Sequence, residues 1–381
     1  MTTRFFLGND AMRDFGRCMD SWISVQSLSW DSVQIRFGLP LFVPQVSACI
    51  MSNGQVILKK EASGNNYTGH FLFEGLQPDT EYTYNLTAND ETFSEAFRTL
   101  PKPQGEHLFK MAILADWHLS LNENDAKGRL HAESADIVRL FLRMIAEHKC
   151  DIVISPGDVT DKGLPDEYAL AERILKDFPL PFYATPGNHD IPMDVEHNFQ
   201  RIFGPGCWIK QYRGFQLVTL DTSDGHLDKQ INFDVVSAVN TEQPVILFTH
   251  YQLQADDWIP DANRVIADAD TPNSKAMLEK LFKCHGIFYI GHKNVASQVK
   301  CNAVTQLNTP QPTHFPAGYL EVDFYTDGIW HKFIPLPSEV QNEYSRLGTE
   351  CSKPHSKPGC NCRSIYRDGL TKELWNQVIR L

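Results

Sequence analysis

Five short apolar runs in this chain each end on a residue able to bind a metal ion, and this regularity limits the possible folds more than any other feature. Ile113-Leu114-Ala115 leads into Asp116-Trp117-His118, and Ile152-Val153-Ile154 into Gly157-Asp158. Phe182-Tyr183-Ala184 leads into Gly187-Asn188-His189-Asp190. Val245 to Phe248 runs into Thr249-His250, and Ile287 to Ile290 into Gly291-His292. Such runs read as strands, and in open α/β sheets ligands gather beyond the carboxyl ends of the strands. Carboxylate, imidazole and amide groups delivered there suit a divalent or trivalent transition metal. Each residue alone has a plainer reading, since Asp after Gly or Asn-His-Asp in a loop is usually a turn. Five such endings in order, always after a strand, are not explained that way.

The rest of the chain divides by period. From Trp22 to Thr99, Val33, Ile35 and Phe37 alternate with Gln34 and Arg36, and Tyr82, Tyr84 and Leu86 alternate likewise. Turn residues punctuate this stretch at Ser52-Asn53-Gly54, Ser63 to Asn66, Pro78-Asp79 and Asn89-Asp90, which predicts a small all-β sandwich over 21–100. Residues 101–106, rich in Pro and Gly, are the expected linker. From Phe109 onward strands alternate with helices, the clearest over His131–His148 with Ile137, Phe141, Met144 and Ile145 on one face. This predicts a layered α/β domain over 107–337, with a hairpin near Tyr319–Tyr325 and Ile329–Ile334. Segments 1–20 and 338–381 are an N-terminal extension and a tail, and Leu370–Leu381 in the tail has a short amphipathic pattern that predicts a docking helix.

A length of 381 residues allows two cores. The net charge of -12 argues against a nucleic-acid polymer or an acidic membrane as partner. No run of about 18 apolar residues suggests a membrane span. Met1–Asp10 is too short and polar for a secretory signal, so a cytoplasmic location is expected. Among the 9 cysteines, Cys150 and Cys284 sit in apolar runs as buried thiols. Cys351, His355, Cys360 and Cys362 match no structural zinc spacing and read as incidental to a flexible tail.

The ordered blocks resemble the calcineurin-like metallophosphoesterases, whose pattern is Asp-x-His, Gly-Asp, Gly-Asn-His-Asp, a later His, and Gly-His-x-His. Four of the five blocks match fully. Gly157-Asp158-Val159-Thr160-Asp161-Lys162-Gly163, then Glu167-Tyr168 and Gly187–Asp190, resemble most the cyclic nucleotide and glycerophosphodiester phosphodiesterase group. Gly75 to Tyr84 resembles the tyrosine corner of fibronectin type III domains. A β-sandwich in front is also found in purple acid phosphatases, but Asp161 stands where those carry a metal-binding tyrosine.

The resemblance implies an αββα metallophosphoesterase domain holding two transition-metal ions, iron or manganese before zinc. Asp116 and His118 would hold the first, Asp158 would bridge both, and Asn188, His250 and His292 would complete the second. A metal-bridging hydroxide would attack a small phosphate ester in line, a diester before a monoester. His189 would assist the leaving group, with Asp190 or another acid orienting its ring. One departure stands out: position 294, a family histidine, is Asn294. It is either a weaker amide ligand or silent, and it motivates an alternative reading as a weakened or inactive phosphate-binding regulatory protein. Tyr251, His131 and His314 are read as packing or surface residues, and Lys293 as solvated.

Overall fold

The computed structural model describes residues 21–255, 265–293, 296–352 and 374–380. The expectations for Asn294, for the extension 1–20, and for His355, Cys360, Cys362 and the side chain of Cys351 lie outside the described residues.

The alternating pattern near the N-terminus folds as five strands: β1 (Trp22–Leu28), β2 (Ser32–Ser52), β3 (Gln55–Glu74), β4 (Glu81–Ala88) and β5 (Glu91–Arg98). β2 and β3 are long enough to serve two layers. The first part of β2 pairs with β1 and with the end of β3, and its second part pairs with the start of β3 and with β4. β5 extends the second layer by pairing with β4. Val33, Ile35 and Phe37 of one layer and Ala48, Ile50, Tyr84 and Leu86 of the other share one core. Tyr82 ties the corner as expected, its hydroxyl accepting the N–H of Gln77 at 2.9 Å.

The α/β region follows, beginning with β6 (His107–Ile113), α1 (Ser134–Glu147), β7 (Ile152–Ser155), α2 (Pro165–Leu175), β8 (Phe182–Ala184) and α3 (Asn198–Phe203). Next come β9 (Trp208–Tyr212), β10 (Phe215–Thr219), α4 (Gln230–Ala238), β11 (Val245–Thr249), α5 (Pro272–Leu281) and β12 (Gly286–Ile290). It closes with β13 (Gln298–Cys301), β14 (Val304–Asn308), β15 (Gly318–Tyr325), β16 (Gly328–Pro335), α6 (Glu339–Ser352) and β17 (Val378–Ile379). Two six-stranded sheets result, ordered β17-β16-β15-β6-β7-β8 and β13-β14-β12-β11-β10-β9. The strands that precede the five motif blocks run parallel to one another within each sheet, β6-β7-β8 in one and β11-β12 in the other, while β6 also pairs antiparallel with β15.

Their unbroken apolar runs have a simple cause, because both faces of each strand are covered. Phe109, Met111, Ile113, Ile152 and Ile154 face Ile246, Phe248, Ile287 and Tyr289 between the sheets. Ala112 and Val153 turn outward to pack on Ile137, Val138, Phe141 and Ile145 of α1, while Leu247, Phe288 and Ile290 meet Val236, Met277 and Leu281 of α4 and α5. The layering is αββα.

Two expectations are corrected. In the described part of the Leu370–Leu381 stretch, residues 374–380, Val378–Ile379 adds a strand to the edge of β16 where a docking helix was expected. Tertiary contacts decide this: Trp375 is fully buried, and the side-chain oxygen of Asn376 accepts both Leu28 N–H and Phe333 N–H at 3.0 Å. The tail also contains α6, which packs on the β-sandwich. Arg36, on the face of β2 expected to meet solvent, is 1% exposed there. Its Nε donates to Glu339 at 2.8 Å and its Nη2 to the Leu336 carbonyl at 2.9 Å.

Candidate metal centre

Every described residue of the candidate donor set leaves the carboxyl end of a strand: Asp116 and His118 after β6, Asp158 after β7, Asn188 and His189 after β8, His250 after β11 and His292 after β12. The two sheets therefore present their donors at one shared edge. The loops themselves are bound to each other, with Asp116 N–H donating to Gly157 O at 2.9 Å and His118 N–H to Asp158 O at 3.0 Å. To face inward, Asp116, His118, Asp158 and His292 all adopt left-handed backbone angles, φ 51°, 45°, 53° and 65°. Strained angles of this kind persist where surrounding structure over-determines them, and they cluster at functional sites.

Gly187 is required by space. A Cβ there would lie 2.1 Å from Asp158 Oδ1. The bare backbone lets His189 N–H donate to that same oxygen at 2.8 Å. The Glu167-Tyr168 pair braces the neighbouring turn. The Glu167 carboxylate accepts Lys162 N–H at 2.9 Å and Leu164 N–H at 3.2 Å, and the Tyr168 hydroxyl donates to Asp190 O at 2.6 Å.

The donors fall into two groups that share Asp158: His118, Asp158 and His189, and Asp158, His250 and His292, with ligand atoms of each group within 4.8 Å of one another. Asp116 lies alongside, its carboxylate accepting His292 N–H at 3.0 Å. Asn188 Oδ1 sits 2.9 Å from His250 Nε2. His118 Nε2 is 3.5 Å from Asp158 Oδ2 and 3.9 Å from Asp116 Oδ1, and His250 Nε2 is 3.3 Å from Asp158 Oδ2. Such spacings are long for hydrogen bonds. They suit donors gathered around a cation roughly 2 Å from each. The residues fit a metal centre on this count and on their chemistry.

Electrostatics agree. Burial raises the Asp116 carboxyl above its ordinary range, with the Asp158 charge adding to it. Burial acts the same way on Asp158, but His250, His118 and His189 around it outweigh that and hold its carboxyl low. The two imidazoles split: burial and then Arg129 push His118 down to about 3, whereas Asp158 overcomes burial to carry His250 up to about 9. The centre is a buried set of carboxylates and imidazoles with charges imperfectly matched, which a bound cation would complete.

His189 differs from the buried donors. Its side chain is 36% exposed, while those of His118, Asp158 and His250 are nearly inaccessible. Its Nδ1 lies 2.6 Å from the Asp161 carbonyl. Asp190 does not orient that ring. Its carboxylate is spent on backbone, accepting Gly187 N–H at 2.9 Å and Thr160 N–H at 2.8 Å as well as the Thr160 hydroxyl. Asp190 is thus a brace between two loops.

Several residues near the centre had no motif to announce them. Tyr251 stacks on His292 with ring centroids 4.2 Å apart and planes 23° apart. His131 is buried 3.6 Å from Asp161, and His314 is buried rather than in a surface turn, its Nε2 3.2 Å from Lys127 O. Lys293, expected in solvent, is buried with its ammonium 3.3 Å from Ser297 Oγ. Arg129 reaches His118, its Nη1 3.3 Å from Nδ1.

Comparison with known proteins points to a family. The calcineurin-like phosphoesterase family model matches residues 109–298. A probable glycerophosphodiester phosphodiesterase of Arcobacter nitrofigilis is 26% identical over 246 residues, covering 58% of this chain and 84% of that protein. A probable cyclic nucleotide phosphodiesterase of Vesicomyosocius okutanii is 21% identical over 210 residues, 53% of this chain and 85% of that one. Among solved structures, a dimetal phosphatase from Danio rerio covers 61% of this chain and 98% of its own, with 13% identity and a TM-score of 0.48. The α/β region of this chain, from which every described donor comes, is thus the part that matches the calcineurin-like phosphoesterase family.

Proposed function

We propose that the centre hydrolyses small phosphate esters, diesters in preference to monoesters. The observation that carries the reading is the sharing of Asp158 between two largely buried donor groups, the first of which includes the solvent-accessible His189. Asp116, His118 and Asp158 would hold one transition-metal ion, and Asp158, Asn188, His250 and His292 a second, iron or manganese before zinc. When bound, such ions neutralise phosphate oxygens and lower the pKa of water.

The protein's own groups supply the rest. His189 Nδ1 donates to the Asp161 carbonyl, so Nε2 is the nitrogen left to carry a proton to the leaving oxygen. Asp190 and Tyr168 keep the His189 loop against the Asp158 loop, which fixes the distance over which that proton moves. The names of the two phosphodiesterase relatives support the preference for diesters.

The test pairs elemental analysis of purified protein with assays of bis-p-nitrophenyl phosphate and p-nitrophenyl phosphate under added manganese, iron or zinc. Two metals per chain and faster turnover of the diester are expected. Metal-loaded protein that binds phosphate but turns over neither ester would overturn the reading in favour of a binding protein.

A further inference from the structure

The turn Ala126–Arg129 belongs to none of the motif blocks, yet it delivers a cation to the centre. Arg129 Nη1 lies 3.3 Å from His118 Nδ1 and 3.9 Å from Asp161 Oδ1, and its Nε is buried without a hydrogen bond. Neither neighbour satisfies a guanidinium. A carboxylate at 3.9 Å provides charge but not the paired short bonds that arginine makes with oxyanions. His118 Nδ1 accepts a hydrogen bond only while it carries no proton. His118 also turns Nε2 towards Asp158 and Asp116, and its Nδ1 faces the Asp161 carboxylate at 3.5 Å as well as Arg129. A mostly enclosed guanidinium in that position needs an anion.

We infer that Arg129 binds a non-bridging oxygen of the substrate's phosphate beside the first donor group, and that α6 sets its position. The second half of this inference has its own geometry. Ser345 of α6 donates its hydroxyl to Gly128 O at 2.5 Å and accepts Phe315 N–H at 2.8 Å. Gly348 lies so close that a Cβ there would stand 2.7 Å from Gly128 Cα. On the other side Leu130 N–H donates to Thr313 O at 2.8 Å. α6 is fastened in turn to the β-sandwich, with Glu339 accepting from Arg36 and Glu343 from Trp22 Nε1 at 3.0 Å. The β-sandwich is therefore part of the support on which a substrate-binding residue rests.

The inference rests on the phosphoester reading, and its test separates the two. Inorganic phosphate is titrated calorimetrically into manganese-loaded full-length protein, wild type, Arg129→Gln, Arg129→Lys and Gly348→Ala, with metal content measured for each. Arg129→Gln should weaken phosphate binding roughly 10- to 100-fold and raise KM for bis-p-nitrophenyl phosphate similarly, with unchanged metal content. Arg129→Lys should recover part of the loss, since it keeps the charge but not the fork. Gly348→Ala should fall between, by displacing the turn. Phosphate affinity of Arg129→Gln within twofold of wild type overturns the inference, as does metal loss in proportion to the affinity lost, or a wild type that does not bind phosphate. Arg129-dependent phosphate binding without turnover would uphold it while removing the enzyme reading. Wild-type turnover with an indifferent Arg129→Gln would do the reverse.

Discussion

A histidine that is to hand over a proton must keep one nitrogen occupied and the other open, and His189 meets this condition through a backbone carbonyl, that of Asp161. Replacing His189 with Ala should leave metal content intact and slow diester hydrolysis roughly 10²–10⁴-fold; single-turnover rates alongside elemental analysis would show whether it does. Gly187 makes a complementary point. An added methyl must displace Asp158 Oδ1, which stands 2.1 Å from its place, so Gly187→Ala should lower metal per chain and cost about 1–3 kcal/mol of stability. Unchanged metal content would show that Asp158 can yield without losing its donors. The donors themselves were legible because each follows its strand within a few residues, so that local sequence carries them. Arg129 and Tyr251 were not legible, because contacts distant in sequence place them: α6 for Arg129 and His292 for Tyr251. The role first given to Asp190 fell for a similar reason, since no local pattern shows that its oxygens are consumed by Thr160 and Gly187.

Among the elements, α1 shows how readily an apolar stripe announces itself, with Ile137, Val138, Phe141, Leu142 and Ile145 all buried. α6 shows the opposite. Its buried positions include Glu343, Ser345 and Arg346, polar residues that meet partners on the β-sandwich, on the Gly128 turn and within the helix itself. β17 is shorter still and exists because Trp375 and Asn376 on either side of the seam hold it in register. Asn376 joins three backbone groups, accepting from Leu28 and Phe333 and donating to Gln26 O at 3.1 Å. Asn376→Ala should leave two buried N–H groups unpaired and cost about 2–4 kcal/mol. Chemical denaturation measures that directly, and a loss under about 0.5 kcal/mol would mean that water or backbone movement replaces the amide.

At the scale of the whole molecule, the two six-stranded sheets are joined by more than apolar packing. His331 of β16 lies between them, its Nε2 2.9 Å from the Tyr289 hydroxyl of β12, and its Nδ1 makes no hydrogen bond. Burial depresses its pKa to about 3. The unfolded chain therefore takes up a proton below about pH 6.5 that the folded chain refuses until about pH 3. Over that window this group makes stability fall with falling pH, by about 1.4 kcal/mol per unit. His331→Gln should flatten the profile by one proton between pH 6.5 and 5 in denaturant titrations; an unaltered slope would place the proton uptake elsewhere. The layered architecture was legible at this scale, because doubly covered strands read as unbroken apolar runs. The packing of the β-sandwich against the α/β region was not, because many of its contacts are polar and residues such as Arg36 look like surface.

The seam around Asn376 also sets a timetable. Its bond to Leu28 closes across 348 residues, so during synthesis at about 5–20 residues per second the first strand waits roughly 20–70 s for its partner. Through that interval the β-sandwich must stand with an incomplete flank, and the ribosome, rather than the finished fold, decides how long that flank stays uncovered.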